Sequence, residues 1–391
     1  MSAQAELACH HCGAVYRRVP LDPGQWARCI RCNELLESAG LFTPKAWLAV
    51  ILGALVSLAL ANAFPVATLV VQGSHQSTTF LHAVMVTWYA GFPEVSILTV
   101  LVGFVLPVVH LCLLLWLFIP LTFGRVPLFF DTLLPVLDQI KHWCMVPVFL
   151  LGCLVAIVKL VQLATLIPGV GLFATLATAV LITSLGRLNG HRIRLMAQDL
   201  GLAVKSEELP PPPSPLSITR TWALLVAAVA LYFPANLLPV MYISAITGDE
   251  GHTIVGGVIE LWQMGSWDIA LVVFIASVFV PVFKIILLST LIYLTQRKSD
   301  VGLRRRTRLY RLVESIGQWS MLDVFVVILL AALGKFGALL DIEPGPGAAA
   351  FGGVVVLTML AAMQFDPRLA WRYSGHRRHA PKVVITKDVQ S

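Results

Sequence analysis

Charged residues are scarce in this 391-residue chain, and long stretches contain none at all. Lysine, arginine, aspartate and glutamate make up 13% of the sequence, whereas hydrophobic residues make up 58%. Soluble domains carry about 25% charged residues, so the composition excludes an ordinary soluble protein. The mean hydropathy of +0.82 indicates a polytopic membrane protein.

Motifs of common enzyme classes are absent as well. The sequence contains no Walker-type phosphate loop, no nucleophile elbow and no HExxH zinc-protease motif. We therefore expect the protein not to be an enzyme. The first residues are polar, which is not the pattern of a cleavable signal peptide.

Cysteine is rare outside the first 40 residues, which hold four of the seven. Cys9 and Cys12 form one C-x2-C pair, and Cys29 and Cys32 form a second after 16 intervening residues. Each pair can fold as a tight knuckle that presents two thiolates, and two knuckles complete a tetrahedral metal site. The sequence therefore predicts a zinc-ribbon-like head, residues 1–40, whose folding energy comes from one bound metal. Zinc is favoured over iron, which also accepts tetrahedral sulfur.

Eight apolar stretches of helix length follow the head, and each is a predicted membrane span. They cover about residues 46–71, 95–123, 143–159, 170–186, 221–245, 268–294, 320–340 and 348–365. Residues 191–218 carry Arg192, Arg194 and Lys205, contain a proline run and are expected to form a stiff linker. The predicted fold is an all-α polytopic membrane protein with four-helix modules at residues 41–190 and 219–368 and a basic tail at 369–391.

The two modules repeat one another in sequence. Trp143 to Lys159 and Trp319 to Lys335 match at seven of 17 positions, including the terminal Trp and Lys. Further matched pairs keep an offset of 174 or 176 residues: Asn62 with Asn236, Pro65 with Pro239, Pro107 with Pro281, Gly169 with Gly345 and Gly171 with Gly347. An even number of spans in each copy predicts parallel repeats of the same orientation.

Basic residues are missing from one side of the predicted topology. If the head is cytoplasmic, 25 of the 28 lysines and arginines lie in cytoplasmic segments and the other three lie within spans. This pattern follows the positive-inside rule and predicts that both termini are cytoplasmic. It also explains the net charge of +7 without nucleic acid. The run from Arg304 to Arg308 is interpreted as a topology and lipid-headgroup feature rather than a protein-docking site.

Polar and ionisable side chains within the spans are candidates for a transport path. The candidates are Lys159, Lys335, Lys284, His110, Asp323, Asn62 and Asn236. Lys159 and Lys335 recur in both modules, although each long stem could instead snorkel to the outer interface. Lys284 and His110 occupy matching positions, so both modules carry a basic-capable group there.

Asp323 and the two asparagines each have a structural alternative. Asp323 lies about 18 Å from Lys335 along one helix, too far for direct pairing. The segment Ser320 to Asp323 fits a helix capping box, which is the favoured interpretation. Asn62 and Asn236 are expected either to hold helices together or to open a polar site near the outer ends of their spans.

Three stretches resemble the paraquat-inducible protein A family: Tyr232–Pro239 (YFPANLLP), Gln318–Phe325 (QWSMLDVF) and Phe365–Leu369 (FDPRL). The resemblance implies a Gram-negative inner-membrane subunit that works with a periplasmic mammalian-cell-entry (MCE) domain protein and moves lipid between membranes. One departure is that residues 198–218 contain no cysteine, whereas fuller family members carry a second set of C-x2-C pairs between the modules. A mechanism that packs two metal ribbons together is therefore not expected in this chain.

The expected function is a lipid-transfer subunit that passes phospholipid or similar hydrophobic cargo to or from the periplasmic partner. Two alternatives stay open. A secondary transporter for a small solute or toxic compound predicts acidic residues within the spans, and Asp323 is the one candidate. A membrane-anchored metal or redox stress sensor would use the cysteine head for signalling.

Overall fold

The structure is a computed structural model in which α-helix predominates. It describes residues 6–18, 21, 24–38, 42–71, 74–89, 91, 93–161, 165–204, 212–245, 248–263, 265, 267–298, 302–317, 325–326, 340–373 and 384–387. A small β-rich head comes first and is followed by two successions of helices, each accompanied by a short sheet.

The head consists of two antiparallel hairpins. Strand β1 (Glu6–Ala8) pairs with β2 (Val15–Arg17), and strand β3 (Gln25–Arg28) pairs with β4 (Leu35–Ser38). Each C-x2-C pair lies in the connection of one hairpin, between its two strands.

An N-terminal half, residues 44–204, follows the head. Its helices are α1 (Pro44–Ala63), α2 (Phe80–Tyr89), α3 (Pro93–Val100), α4 (Leu106–Thr122), α5 (Phe130–Lys141), α6 (Val146–Val161), α7 (Val170–Leu185) and α8 (Gly190–Asp199). Its strands are β5 (Ala67–Val71), β6 (Ser74–Thr78) and β7 (Thr165–Pro168), which form an antiparallel sheet in the order β6-β5-β7.

A C-terminal half, residues 216–373, repeats this arrangement. Its helices are α9 (Leu216–Leu237), α10 (Ile254–Gln263), α11 (Trp267–Phe274), α12 (Val280–Gln296), α13 (Leu303–Gly317), α14 (Pro346–Gln364) and α15 (Arg368–Tyr373). Its strands are β8 (Met241–Ala245), β9 (Gly248–His252) and β10 (Leu340–Pro344), which form an antiparallel sheet in the order β9-β8-β10.

The two sheets are the main departure from the predicted all-α fold, and prolines explain where they begin. The residue before a proline disfavours helical geometry. Phe64, before Pro65, is extended with φ −106° and ψ 150°, so α1 ends earlier than the predicted first span. Leu238, before Pro239, is extended with φ −83° and ψ 149°, and it ends α9 in the same way.

In each half, one glycine brings the sheet into close contact with the start of the following helix. Gly169 donates its N–H to the carbonyl of Val66 at 3.0 Å, and Gly345 donates to the carbonyl of Val240 at 2.7 Å. A Cβ on Gly169 would lie 2.1 Å from the Pro65 oxygen, and one on Gly345 would lie 2.2 Å from the Pro239 oxygen. These close backbone approaches explain why glycine stands at both matched positions.

A single π-helical turn precedes a proline in each half. The turns are Leu101–Val105 and Ile275–Phe279, and the closing bonds run from the N–H of Leu106 to Leu101 O and from the N–H of Val280 to Ile275 O. Pro107 and Pro281 are the second residues after these turns. A proline has no N–H to give and crowds the preceding turn, so a local widening of the helix accommodates it.

Five described helices are long and apolar enough to cross a membrane. They are Pro44–Ala63, Pro93–Thr122, Leu216–Leu237, Ile275–Gln296 and Pro346–Arg372, and a sixth span results if α7 and α8, bent by 65°, count together. The predicted third span corresponds to α6, which has 16 residues. The predicted seventh span, 320–340, lies outside the described residues apart from Phe325, Val326 and Leu340.

The predicted linker and tail contain regular structure. The linker, residues 191–218, begins within α8, which buries Ile193 and Ala197 against the N-terminal half. The tail includes most of α15, and a further strand, β11 (Val384–Lys387), pairs antiparallel with β3 of the head. Both segments are therefore in contact with other parts of the chain.

The two halves share one apolar core. Phe149 of α6 packs edge-on against Phe325, with ring centroids 5.4 Å apart, and against Phe80 at 4.8 Å. Buried residues of α14 join the same cluster. A second cluster lies wholly in the N-terminal half and a third in the C-terminal half.

Candidate functional site

The two cysteine pairs lie in backbone turns of the same kind. The N–H of Gly13 bonds to Cys9 O, and the N–H of Asn33 bonds to Cys29 O, each at 2.8 Å. Both residues after the second cysteine are left-handed, with φ of 68° at Gly13 and 61° at Asn33. Glycine and asparagine are the residues that tolerate this conformation, so the sequence specifies both knuckles locally.

The knuckles bring all four predicted ligands together. The sulfur atoms of Cys9, Cys12, Cys29 and Cys32 lie within 4.8 Å of one another, and all four side chains are buried. The distances from Cys9 to Cys32 and from Cys12 to Cys29 are 3.5 Å. Four sulfurs bound at 2.3 Å to a tetrahedral ion lie about 3.8 Å apart, so the cluster fits zinc.

Hydrogen bonds among the four thiols shift their pKa values in opposite directions. Hydrogen bonding with Cys12 raises the pKa of Cys9 above its ordinary value, whereas hydrogen bonding with Cys12 lowers the pKa of Cys29. The hydroxyl of Tyr16 adds a contact of 3.0 Å to the Cys29 sulfur. Four buried thiolates repel one another, and a bound divalent ion that displaces their protons removes this repulsion.

The two histidines of the first knuckle have other contacts. His11 Nε2 lies 3.7 Å from a carboxylate oxygen of Glu34, and the His10 ring lies edge-on to His191 of α8 at 5.9 Å. Within the described ranges, the four cysteines form the one group suited to a metal.

The head packs on both halves of the chain. Its cysteines share an apolar cluster with Leu195 of α8, Leu303 of α13 and Trp371 of α15. Each of these three side chains is less than a tenth exposed. The small head therefore completes its core with residues from both halves, as expected for a segment too short to build a core alone.

Polar contacts reinforce the packing on the C-terminal half. Arg304 of α13 donates from Nε to Arg31 O at 2.7 Å and from Nη2 to Ile30 O at 2.9 Å. The guanidinium of Arg31 lies over the Trp371 ring, 5.0 Å from its centroid. Arg311 forms an ion pair of 2.8 Å with Glu34. The sequence assigns the 304–308 run to topology and lipid headgroups, and it does not predict this contact of Arg304 with the head.

The N-terminal half is attached to the head through α8. Arg18 bonds to Glu37 within the head at 2.7 Å and to Asp199 of α8 at 2.9 Å. Helix α8 is itself anchored to α5, because Asp138 accepts the N–H of Gly190 at 2.9 Å. Burial raises the pKa of Asp138 above its ordinary value.

Lys284 and His110 occupy equivalent buried positions three residues after the prolines. Lys284 is 2% exposed and His110 is 1% exposed. Lys284 Nζ donates to Thr358 Oγ1 at 3.0 Å, across from α12 to α14. His110 Nδ1 is buried without a hydrogen-bond partner in the part of the chain that the structure describes. The structure does not bring these two side chains together with the four cysteines.

The other path candidates are less informative. Lys159 lies on α6, and nothing further is described of its side chain; Lys335 and Asp323 lie outside the described residues. Asn62 donates to Leu58 O at 2.8 Å and Asn236 to Tyr232 O at 2.9 Å, each within its own helix. Neither bond joins two helices.

An open cavity of about 840 Å³ lies at the end of α4. It is lined by Trp116, Ile119, Pro120, Phe123, Arg125, Val126, Pro127 and Leu128. Trp116 donates its indole N–H to Leu128 O at 3.4 Å, which ties the loop to the helix. Arg125 is exposed, and no carboxylate pairs with it among the residues with described positions.

Sequence reasoning missed this cavity, Thr358 and the contacts of α8 with the head. Thr358 stands 74 residues from Lys284, and a lone threonine in an apolar helix carries no signal of its own. In the sequence, Arg125 stands out only as one of the basic residues of the positive-inside pattern, although Trp, Phe and Pro residues surround it.

Comparisons with known proteins extend over nearly the whole chain. The sequence model of a family described as Paraquat-inducible protein A matches residues 45–193 and 218–374. The Intermembrane transport protein PqiA of Escherichia coli K12 is 32% identical over 413 aligned residues, covering 96% of this chain and 98% of that protein. A Probable intermembrane transport protein of Haemophilus influenzae is 29% identical and covers 94% of the chain and 95% of its own length.

A third relative shares a shorter region. The Lipophilic envelope-spanning tunnel protein A of E. coli K12 is 35% identical over 271 residues, 62% of this chain and 63% of that protein. No solved structure matches the chain. The relatives' names describe transport proteins and not enzymes, in agreement with the sequence-based expectation.

Proposed function

Because the chain belongs to the paraquat-inducible protein A family, we propose that it is the inner-membrane subunit of an intermembrane lipid transport system. It passes phospholipid or similar hydrophobic cargo to or from a periplasmic MCE-domain tunnel protein. The names of its relatives support a transport role between membranes and a lipophilic, envelope-spanning system.

The cavity at the end of α4 is the observation that carries the lipid assignment. Its lining is apolar and aromatic except for Arg125, and its mouth is open. A phospholipid has the complementary chemistry, since a guanidinium binds phosphate in a bidentate manner and the apolar walls receive acyl chains. Tryptophan is the residue that favours the boundary between lipid and water, and Trp116 stands at this boundary in the proposed topology.

Helix contacts support a position of this cavity on the same side as the head. Helix α5 packs on α4 and on α8, and α8 contacts the head. In the proposed topology, with the head and both termini in the cytoplasm, the cavity opens to the cytoplasmic leaflet. The full membrane domain then contains eight spans in two four-helix modules, which carry basic residues on the cytoplasmic side.

At the equivalent helix end in the C-terminal half, the described arginine has a different contact. There, Arg297 lies over its own neighbour Tyr293, 4.8 Å from the ring centroid. That cation–π contact already engages the guanidinium. The contrast supports the N-terminal half as the site where lipid from the cytoplasmic leaflet is held.

The buried basic groups form the proposed path between the leaflets. Lys284 with Thr358 and His110 in the other half lie deep within the helices, where ionisable groups are retained for function. Lys159, Lys335, Asp323, Asn62 and Asn236 remain further candidates for this path. One zinc ion held by the four cysteines would have a structural role. The four thiolates would fill all of its coordination positions, and all four side chains are buried.

Native mass spectrometry of the purified protein tests the lipid assignment. We expect co-purified phospholipid, and we expect Arg125→Ala to lose about tenfold in occupancy of anionic phospholipid, as for one charge-assisted contact. Arg187→Ala is the matched control, because Arg187 is also an exposed arginine after an apolar helix, α7, but does not line the cavity. Equal lipid occupancy in the two variants would contradict the site.

A further inference from the structure

We propose that the metal-loaded head is a clip that ties the two halves of the chain together on the cytoplasmic side. The inference concerns how the halves are coupled, and it holds whether the cargo is a lipid or another compound. It starts from the apolar cluster that combines the four cysteines with Leu195 from one half and Leu303 and Trp371 from the other.

The second knuckle supplies the attachment to the C-terminal half. The carbonyls of Ile30 and Arg31, which accept from Arg304, are the two between Cys29 and Cys32. Arg304 can reach both only while the knuckle keeps these carbonyls pointing in one direction. Metal binding supplies the folding energy of such knuckles, so the attachment depends on the metal.

Other residues of the head attach it to the N-terminal half. Arg18, at the end of β2, pairs with Asp199 at the end of α8, and His10 of the first knuckle contacts His191 near its beginning. Arg18 is also fixed by Glu37 of β4, so the first and second hairpins both hold the side chain that reaches α8. The head therefore contacts the two halves through different polar residues, and one metal site holds these residues in their relative positions.

The clip provides a second connection between the halves. Their first connection is the apolar core in which Phe149 packs on Phe325. A single packed contact permits two bodies to rock about it, whereas two separated contacts fix their relative orientation. Loss of the metal would leave the core contact and release the cytoplasmic ends of α8 and α13.

Hydrogen–deuterium exchange of the full chain in lipid nanodiscs tests the proposal. The zinc-loaded wild type is compared with the variant Cys29→Ser/Cys32→Ser, and exchange is measured in α8, α13 and α14. We expect α8 and α13 both to exchange about tenfold faster or more in the variant, because each loses charge-assisted contacts and apolar burial. Helix α14 should keep its exchange rate.

A second pair of variants separates clip release from head unfolding. Arg304→Ala removes the bonds to the second knuckle without touching a cysteine, and it should raise exchange at the start of α13 while one zinc per chain is retained. Arg308 lies one turn further along the same helix and is exposed. The control variant Arg308→Ala should change neither the exchange rate at the start of α13 nor the zinc content. Faster exchange confined to the head in the cysteine variant would overturn the proposal. A response of α8 alone or of α13 alone would overturn it as well.

Discussion

Lys284 donates a hydrogen bond of 3.0 Å to Thr358, and both side chains are almost fully buried. Thr358 in turn donates its own hydroxyl proton to Val355 O at 3.0 Å, so its lone pairs remain available to the ammonium. A buried ammonium has three donors and is strongly disfavoured without partners. No carboxylate forms an ion pair with Lys284 among the described residues, which makes the threonine bond the main compensation that they provide.

Replacing Thr358 by valine should destabilise the protein. The substitution keeps the shape but leaves the Lys284 ammonium without its bond, a loss of about 1–3 kcal/mol. Thermal unfolding in detergent measures the effect. Thr290→Val is the matched control, because Thr290 is exposed on α12 and bonds within its own helix to Ile286 O. Equal effects of the two substitutions would contradict the compensating role of Thr358.

Removing the buried charge should abolish lipid transfer without lowering the stability of the protein. Lys284→Met replaces the ammonium by an apolar side chain of similar length, which is often neutral or stabilising at a buried site. We expect unchanged or higher thermal stability together with lost lipid transfer. In a double-mutant cycle, Lys284→Met should also abolish the destabilisation caused by Thr358→Val. Additive effects in this cycle would show that the two side chains do not interact.

The metal content of the protein should depend on the head cysteines alone. We expect one zinc per chain in the purified wild type and loss of that zinc in Cys29→Ser, measured by elemental mass spectrometry. Cys112→Ser is the control, because Cys112 is an exposed residue of α4 that lies outside the cluster. Iron in place of zinc would give a coloured protein. Retention of zinc in Cys29→Ser would rule out the four-cysteine site.

The close backbone contact at each sheet should not tolerate a larger residue. A Cβ on Gly345 would lie 2.2 Å from the Pro239 oxygen, so Gly345→Ala should lower the free energy of unfolding by about 2 kcal/mol or more. Gly257→Ala in α10 is the control, because a Cβ there meets no heavy atom within 4 Å. Thermal unfolding of both variants makes the comparison. A Gly345→Ala variant as stable as the control would show that this contact can relax.

The four-cysteine cluster could be predicted from sequence because its geometry is local. The two C-x2-C pairs each close one tight turn, and Gly13 and Asn33 supply the required left-handed conformation. The repeat could also be predicted from sequence, since matched residues such as Pro65 and Pro239 follow the ends of equivalent helices in the two halves. The repeat could not show that these prolines end helices and begin sheets, because β5 and β8, the strands that follow directly, contain no charged residue and continue the apolar spans.

The contacts across the chain could not be predicted from sequence. The Lys284–Thr358 bond joins two helices, and the Arg304 bonds to Ile30 and Arg31 join residues more than 270 positions apart. An arginine in a basic run looks the same whether it faces lipid headgroups or a backbone carbonyl. Only the tertiary fold distinguishes the two.

Transfer of phospholipid between membranes tests the central claim most directly. The protein, purified together with the proposed periplasmic MCE-domain partner, is reconstituted in vesicles that contain fluorescent phospholipid. The movement of this phospholipid to acceptor vesicles is followed. We predict transfer that depends on the protein and falls strongly in Arg125→Ala and Lys284→Met but not in Arg187→Ala. Transfer at the rate of protein-free vesicles, from a preparation that retains its partner and its zinc, would contradict the account.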